Sequence, residues 1–242
     1  MGNGPLNYKS LKEQVYEFLR EQLSTGQLLP GSFINLEKIS RDLRISKTPL
    51  REALIQLELE GFVRILPRRG VIVNVLTLND IKDFYQIIGA LEASAVLNSS
   101  HKIKESHIKK MEKLNREMKK AIDKDDFDTY YEKNLEFHNT YLNLCENTHL
   151  LKTVNVLKKR LYDFPRQKGY LKEWEEASIK EHEKFLEFLK EKNPKLAADF
   201  IRDVHWSFEV QKNYIIKYYP LEEYQKRLKE ALGDRYEEEI FA

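Results

Sequence analysis

Apolar residues three and four positions apart open the chain: Leu11, Val15, Phe18, Leu19 and Leu23 fall on one helical face, and Ser10 with Glu13 has capping-box spacing at its start. The pattern predicts a helix to about Ser24, stopped by Gly26. Leu29, Pro30 and Gly31 then make a turn, Asn35 caps a short second helix over LEKISRDLRI, and Ser46 begins a third. Pro49 sits in the first turn of that third helix, where a missing N–H is harmless. Leu50, Leu54 and Leu57 supply its buried stripe, and Gly61 ends it. The following VRILPRRGVIVNV alternates β-branched residues on either side of Pro67 and Gly70, which predicts two short strands joined by a turn. Helix, short helix, helix and hairpin is the order of a winged helix-turn-helix.

From Leu78 the strand pattern is gone, and helical periodicity predicts helices at about 80–99, 104–123, 126–144, 148–164, 171–191 and 194–218. LEEYQKRLKEALGDRYEEEIFA adds an amphipathic helix with an acidic end. The expected fold is therefore mainly α, with a winged helix-turn-helix DNA-binding domain over 1–76. An all-helical effector-binding and dimerisation domain of six or seven helices is expected over 77–242.

Composition narrows this only a little. With 41% hydrophobic and 33% charged residues but 9 Gly and 7 Pro, the chain is a helix-rich globular protein, not a disordered one. Its 41 basic and 39 acidic residues nearly cancel to +2, so any attraction for nucleic acid must come from a local basic face. No apolar run approaches the roughly 18 residues of a membrane span, and the opening residues lack a signal-peptide core, so a cytoplasmic protein without membrane contact is expected. The single cysteine, Cys145, excludes an internal disulfide and reads as packing.

Two constellations carry chemistry. In the first, Ser46, Lys47, Thr48 and Arg51 crowd the start of the third helix, the end by which a recognition helix enters a major groove. Arg51 is the first base-reading candidate, since arginine pairs bidentately with guanine. Arg68, Arg69 and Gly70 form a basic hairpin tip suited to a minor groove or phosphate, with Lys38 and Arg41 as further phosphate contacts. In the second, Asn134 and His138 share a helix face four residues apart, and His182 and His205 lie on two later helices among apolar neighbours. Neutral imidazoles bind zinc or nickel, so these four are candidate ligands, although spacing across separate helices does not by itself prove convergence.

Residues 9–76, above all ISKTPLREALIQLELEGFV followed by PRRGVIV, resemble the DNA-binding domain of the GntR superfamily of bacterial regulators. The resemblance implies that Arg51 of the T-P-x-R-E motif, Lys47 before the threonine, and the wing residue Gly70 touch operator DNA, with Thr48 on phosphate. Lys47 stands where arginine is usual, and Glu37 where some members carry a second-helix arginine. Residues 81 to about 218 resemble the FCD ligand-binding domain of the FadR subfamily, through NLEFHNTYLNLCENTHL and KEHEKFLEFLKEKNPKLAADFIRDVH. That likeness implies a divalent ion on Asn134, His138, His182 and His205, with asparagine replacing the usual aspartate. Many members have an arginine four residues before the glutamate that is Glu92 here; Ile88 replaces it, which makes Arg160 the candidate for holding an anionic effector.

The function expected is a homodimeric transcriptional regulator that binds palindromic double-stranded operator DNA under control of a small carboxylate effector. The alternatives are a metal-dependent hydrolase or lyase built on the histidines, which would leave a DNA-binding head unexplained, and an interaction scaffold with a degenerate head. The basic residues kept at 47, 51, 68 and 69 argue against degeneracy.

Overall fold

The computed structural model describes residues 9–162 and 171–236. Among them are eleven α-helices and three short strands, in two compact units. None of these helices is long and apolar enough to cross a membrane.

The first unit contains residues 9–77, 159–162 and 221–236 of the described chain. Its α1 (Leu11–Ser24) starts on the capping box read from the sequence, with Glu13 N donating to Ser10 Oγ at 3.2 Å and Ser10 N to Glu13 Oε2 at 2.7 Å. Asn35 caps α2 (Leu36–Asp42) by accepting from Lys38 N at 2.9 Å. The turn into α3 (Lys47–Leu59) is closed by Ile45 N to Ser40 O and by Ser40 Oγ to Ile45 O, with Arg44 at φ 53. β2 (Val63–Leu66) and β3 (Gly70–Val73) form the expected hairpin. A two-residue β1 (Phe33–Ile34), which the sequence did not reveal, pairs antiparallel with the other edge of β3 to give the order β1-β3-β2. Leu19, Leu50, Leu54, Leu57, Phe62 and Ile72 form the core.

The last described helix, α11 (Leu221–Leu232), belongs to this unit, not to the helical domain in which the sequence reading placed it. Leu228 and Leu232 pack with Leu66 and Ile72 of the sheet, and Arg227 Nη1 donates to Pro30 O at 3.1 Å. Gly31, at φ 77, permits this approach: a Cβ there would lie 2.7 Å from Leu228 N, a contact no real side chain makes. The acidic end expected for this helix and the final residues of the helix read to 164 fall outside the described residues.

The second unit contains 78–158 and 171–220 and is all-helical: α4 (Leu78–Ser99), α5 (Glu105–Asp123), α6 (Phe127–Leu142), most of α7 (Thr148–Tyr162), α8 (Lys172–Lys190), α9 (Pro194–Phe200) and α10 (Phe208–Tyr218). Asn193 and Pro194 start α9 as the N-cap and N1 pattern requires. The helix expected over 194–218 is interrupted: Ile201–His205 form a π-helical turn, and Trp206 and Ser207 precede α10. Gly89 on α4 lets this turn come close, since a Cβ there would meet Trp206 Cβ at 3.0 Å and Arg202 Cα at 3.4 Å.

Candidate nucleic-acid interface and metal centre

Every residue singled out for DNA contact lies in the first unit, and most are open to solvent. Lys38, Arg41, Ser46, Lys47, Thr48, Arg51 and Arg68 are exposed; Arg69 and Gly70 are half-buried. Ser46 caps α3 without spending its side chain on the helix, which leaves the hydroxyl and the first-turn N–H groups available to phosphate. Arg51 makes no ion pair among the described residues, while Leu50 and Leu54, its neighbours in the stripe, are buried. Lys47 Nζ stands 3.5 Å from Glu37 Oε1, both side chains 73% exposed. An exposed pair of this kind is worth at most about 1 kcal/mol, so a phosphate can displace the carboxylate.

The histidine constellation converges. Ligand atoms of His138 on α6, His182 on α8 and His205 on the π-helical turn lie within 4.8 Å of one another. His138 and His182 are buried, and His205 is 9% exposed at the side chain. Each ring has its Nδ1 engaged by oxygen. His138 Nδ1 is 3.0 Å from Glu92 Oε2 and 2.7 Å from the Tyr141 hydroxyl, which itself donates to Glu92. His182 Nδ1 is 3.1 Å from Asn115 Oδ1, an amide fixed by its own Nδ2 donating to Ile179 O. His205 Nδ1 is 2.7 Å from Glu181 Oε2, and Gln211 Nε2 donates to the other Glu181 oxygen at 2.8 Å. Acceptors at all three Nδ1 atoms assign a proton to that side, and in the neutral rings of His138 and His182 this leaves Nε2 with a lone pair.

Those lone pairs lack partners where a ligand would be needed. His138 Nε2, His182 Nε2 and Asn134 Oδ1 are buried with no hydrogen-bond partner among the described residues. Leaving such acceptors dry costs about 1–3 kcal/mol each, which a coordinated ion recovers. Asn134 and His138, one helical turn apart and both buried, present oxygen and nitrogen from the same face of α6. The protonation states agree. Burial, then the nearby Lys158, pushes the His138 imidazole down to about 3, and burial likewise holds His182 well below its ordinary value, followed by His205 and His138. Both rings therefore stay neutral, as metal ligands must be. The three converging histidines suit a divalent ion, with Asn134 one turn before His138 on α6 as the candidate fourth ligand.

Comparison with known proteins matches each unit to a domain family. Residues 11–73 match the bacterial regulatory proteins of the gntR family, and residues 83–204 match the FCD domain. The chain belongs to the GntR family and carries an FCD domain. This GntR chain is 28% identical over 190 residues to the HTH-type transcriptional regulator YdhC of Bacillus subtilis, covering 78% of this chain and 84% of that one. It is 25% identical over 148 residues to the transcriptional repressor RspR of Escherichia coli, covering 61% and 65% of the two chains. In fold it is similar to a putative GntR regulator from Rhodococcus (TM-score 0.67, 18% identity, 87% and 100% covered) and to Escherichia coli McbR (0.65, 21%, 87% and 98%).

Arg160, the expected effector-binding residue, belongs to the first unit, where it lies against Gly61, while the three histidines belong to the second. Residues two apart on a helix face opposite ways, and it is Lys158 that reaches the centre, buried and paired with Glu92. Burial alone would push Glu92 up, but Lys158 and then His138 outweigh it and hold the carboxyl well below its ordinary range. Lys158 is lowered by burial, an effect Glu92 partly offsets. Glu92, Asn115, Lys158, Glu181 and Gln211 were not anticipated in these roles. The one available hint was Glu92, a carboxylate at a position whose neighbours are all apolar.

Proposed function

We propose that this regulator binds palindromic operator DNA as a homodimer, and that a small carboxylate effector in its FCD unit sets that affinity through a divalent ion, zinc or nickel, on Asn134, His138, His182 and His205. The FadR subfamily is the branch that suits this reading. The observation that carries it is the convergence of three imidazoles, each engaged through Nδ1, with the buried Nε2 atoms of His138 and His182 left without a partner. The ion would supply a Lewis-acidic point for an effector oxygen. The protein's own contribution is to hold the rings in one tautomer and exclude water around them.

Homodimerisation is supported by docking logic, because one winged helix contacts too little DNA for specificity and a two-fold site calls for a two-fold protein. Ile87 and Leu97, 42% and 47% exposed on α4, offer apolar surface for a second copy. The hydrolytic reading gains no support. Glu92 and Glu181 are both committed to orienting histidines, and the relatives are regulators.

Operator fragments selected from genomic DNA by the purified protein test the reading. Arg51→Ala should weaken their binding ten- to hundred-fold in an anisotropy titration. Elemental analysis should find about one zinc or nickel per chain, and His182→Ala should abolish it. Undiminished operator binding, or the absence of metal with indifference to added zinc and nickel, would refute the respective half.

A further inference from the structure

The histidine centre contains a second kind of unfilled valence, donors rather than acceptors. Lys158 is buried, its side chain only 6% exposed, with its ammonium on Glu92 and 5.2 Å from the centroid of the Trp206 ring. An ammonium has three N–H donors, and among the described residues Glu92 is the single acceptor that Lys158 meets. The indole Nε1 of Trp206 is likewise buried without an acceptor. The same indole ring stands 5.4 Å from His205 and 6.1 Å from His138, centroid to centroid, so these donors border the imidazoles.

The ion and these donors call for two ends of one ligand: a group that meets the ion, and a second that presents oxygen acceptors to Lys158 and Trp206.

We propose that Lys158 is the anchor for the second acidic group of the effector, and that the effector class is a small dicarboxylate: one carboxylate for the ion, the other for the spare N–H donors of Lys158. This rests on the effector and ion reading given above.

Calorimetric titration of the zinc-loaded full chain with malonate, succinate and acetate tests it. Dicarboxylates should bind at least tenfold tighter than acetate. Lys158→Met should lose that preference, and so should Lys158→Met/Glu92→Gln, which strands no buried charge and guards against simple misfolding. In Lys158→Met zinc titration should stay within about threefold of the parent, whereas the double variant, which loses the carboxylate on His138 Nδ1, should bind zinc more weakly and is compared at saturating zinc; circular dichroism should be unchanged in both. A folded, zinc-binding variant that keeps the dicarboxylate preference overturns the proposal. A parent chain that binds zinc but prefers no dicarboxylate overturns it as well and leaves the ion reading intact; a parent that takes up no zinc defeats both.

Discussion

Acid sensitivity follows from individual side chains. His138 is held at about 3 by burial first and Lys158 second, whereas an unfolded histidine titrates near 6.5. Below pH 6.5 the unfolded chain therefore takes up a proton that the metal-free folded chain refuses, and stability falls as pH drops. His182 acts in the same direction. Glu175 acts in the opposite one: burial raises it to about 7 from 4.5, so the folded state keeps a proton that the unfolded state releases between those values. Two histidines against one glutamate leave a net uptake of about one proton on unfolding near pH 5.5, a loss of about 1.4 kcal/mol per pH unit. Urea denaturation of metal-free protein should show that slope between pH 6 and 5. Glu175→Gln should roughly double it and His138→Gln should nearly flatten it; equal slopes in all three would contradict the assignment.

At the scale of elements, the contact of α11 with the sheet depends on one backbone position. Gly31→Ala places a methyl 2.7 Å from Leu228 N at φ 77, so both strain and clash oppose it. A loss of about 2 kcal/mol in stability is expected, measurable as a fall of several degrees in the melting temperature. A melting temperature that does not move would mean the helix can slide aside at no cost. The sequence announced that α11 has an apolar face, but amphipathicity states only that a face is covered and not by what. The same limit hid β1, whose two residues are too few to show alternation, and the π-helical turn, whose apolar spacing continues that of α9. Long helices with capping residues were readable because period and cap agree, as at Ser10 and Asn193. The metal-ligand candidates were readable from residue type together with resemblance. Lys158 was not, because a lysine in an amphipathic helix reads as solvated until its buried partner, Glu92 on α4, is known.

For the whole molecule, the DNA-binding unit is assembled from three separated stretches of chain: 9–77, 159–162 and 221–236 among the described residues. Leu66 and Ile72 are covered by Leu228 and Leu232, each worth about 1.5–3 kcal/mol of burial, a large share of what a domain of this size can hold in reserve. A fragment of residues 1–77 should therefore lack a cooperative thermal transition by circular dichroism, and adding a peptide of residues 221–236 should restore one. Cooperative melting of the fragment alone, at the temperature of the full chain, would show the cover to be dispensable.

Because α11 emerges from the ribosome only after every residue of the FCD unit, the wing receives its backing last. A translation product broken off anywhere before Leu221 would carry the recognition helix without the support that sets the hairpin beside it. Aborted chains should thereby be poor competitors for DNA.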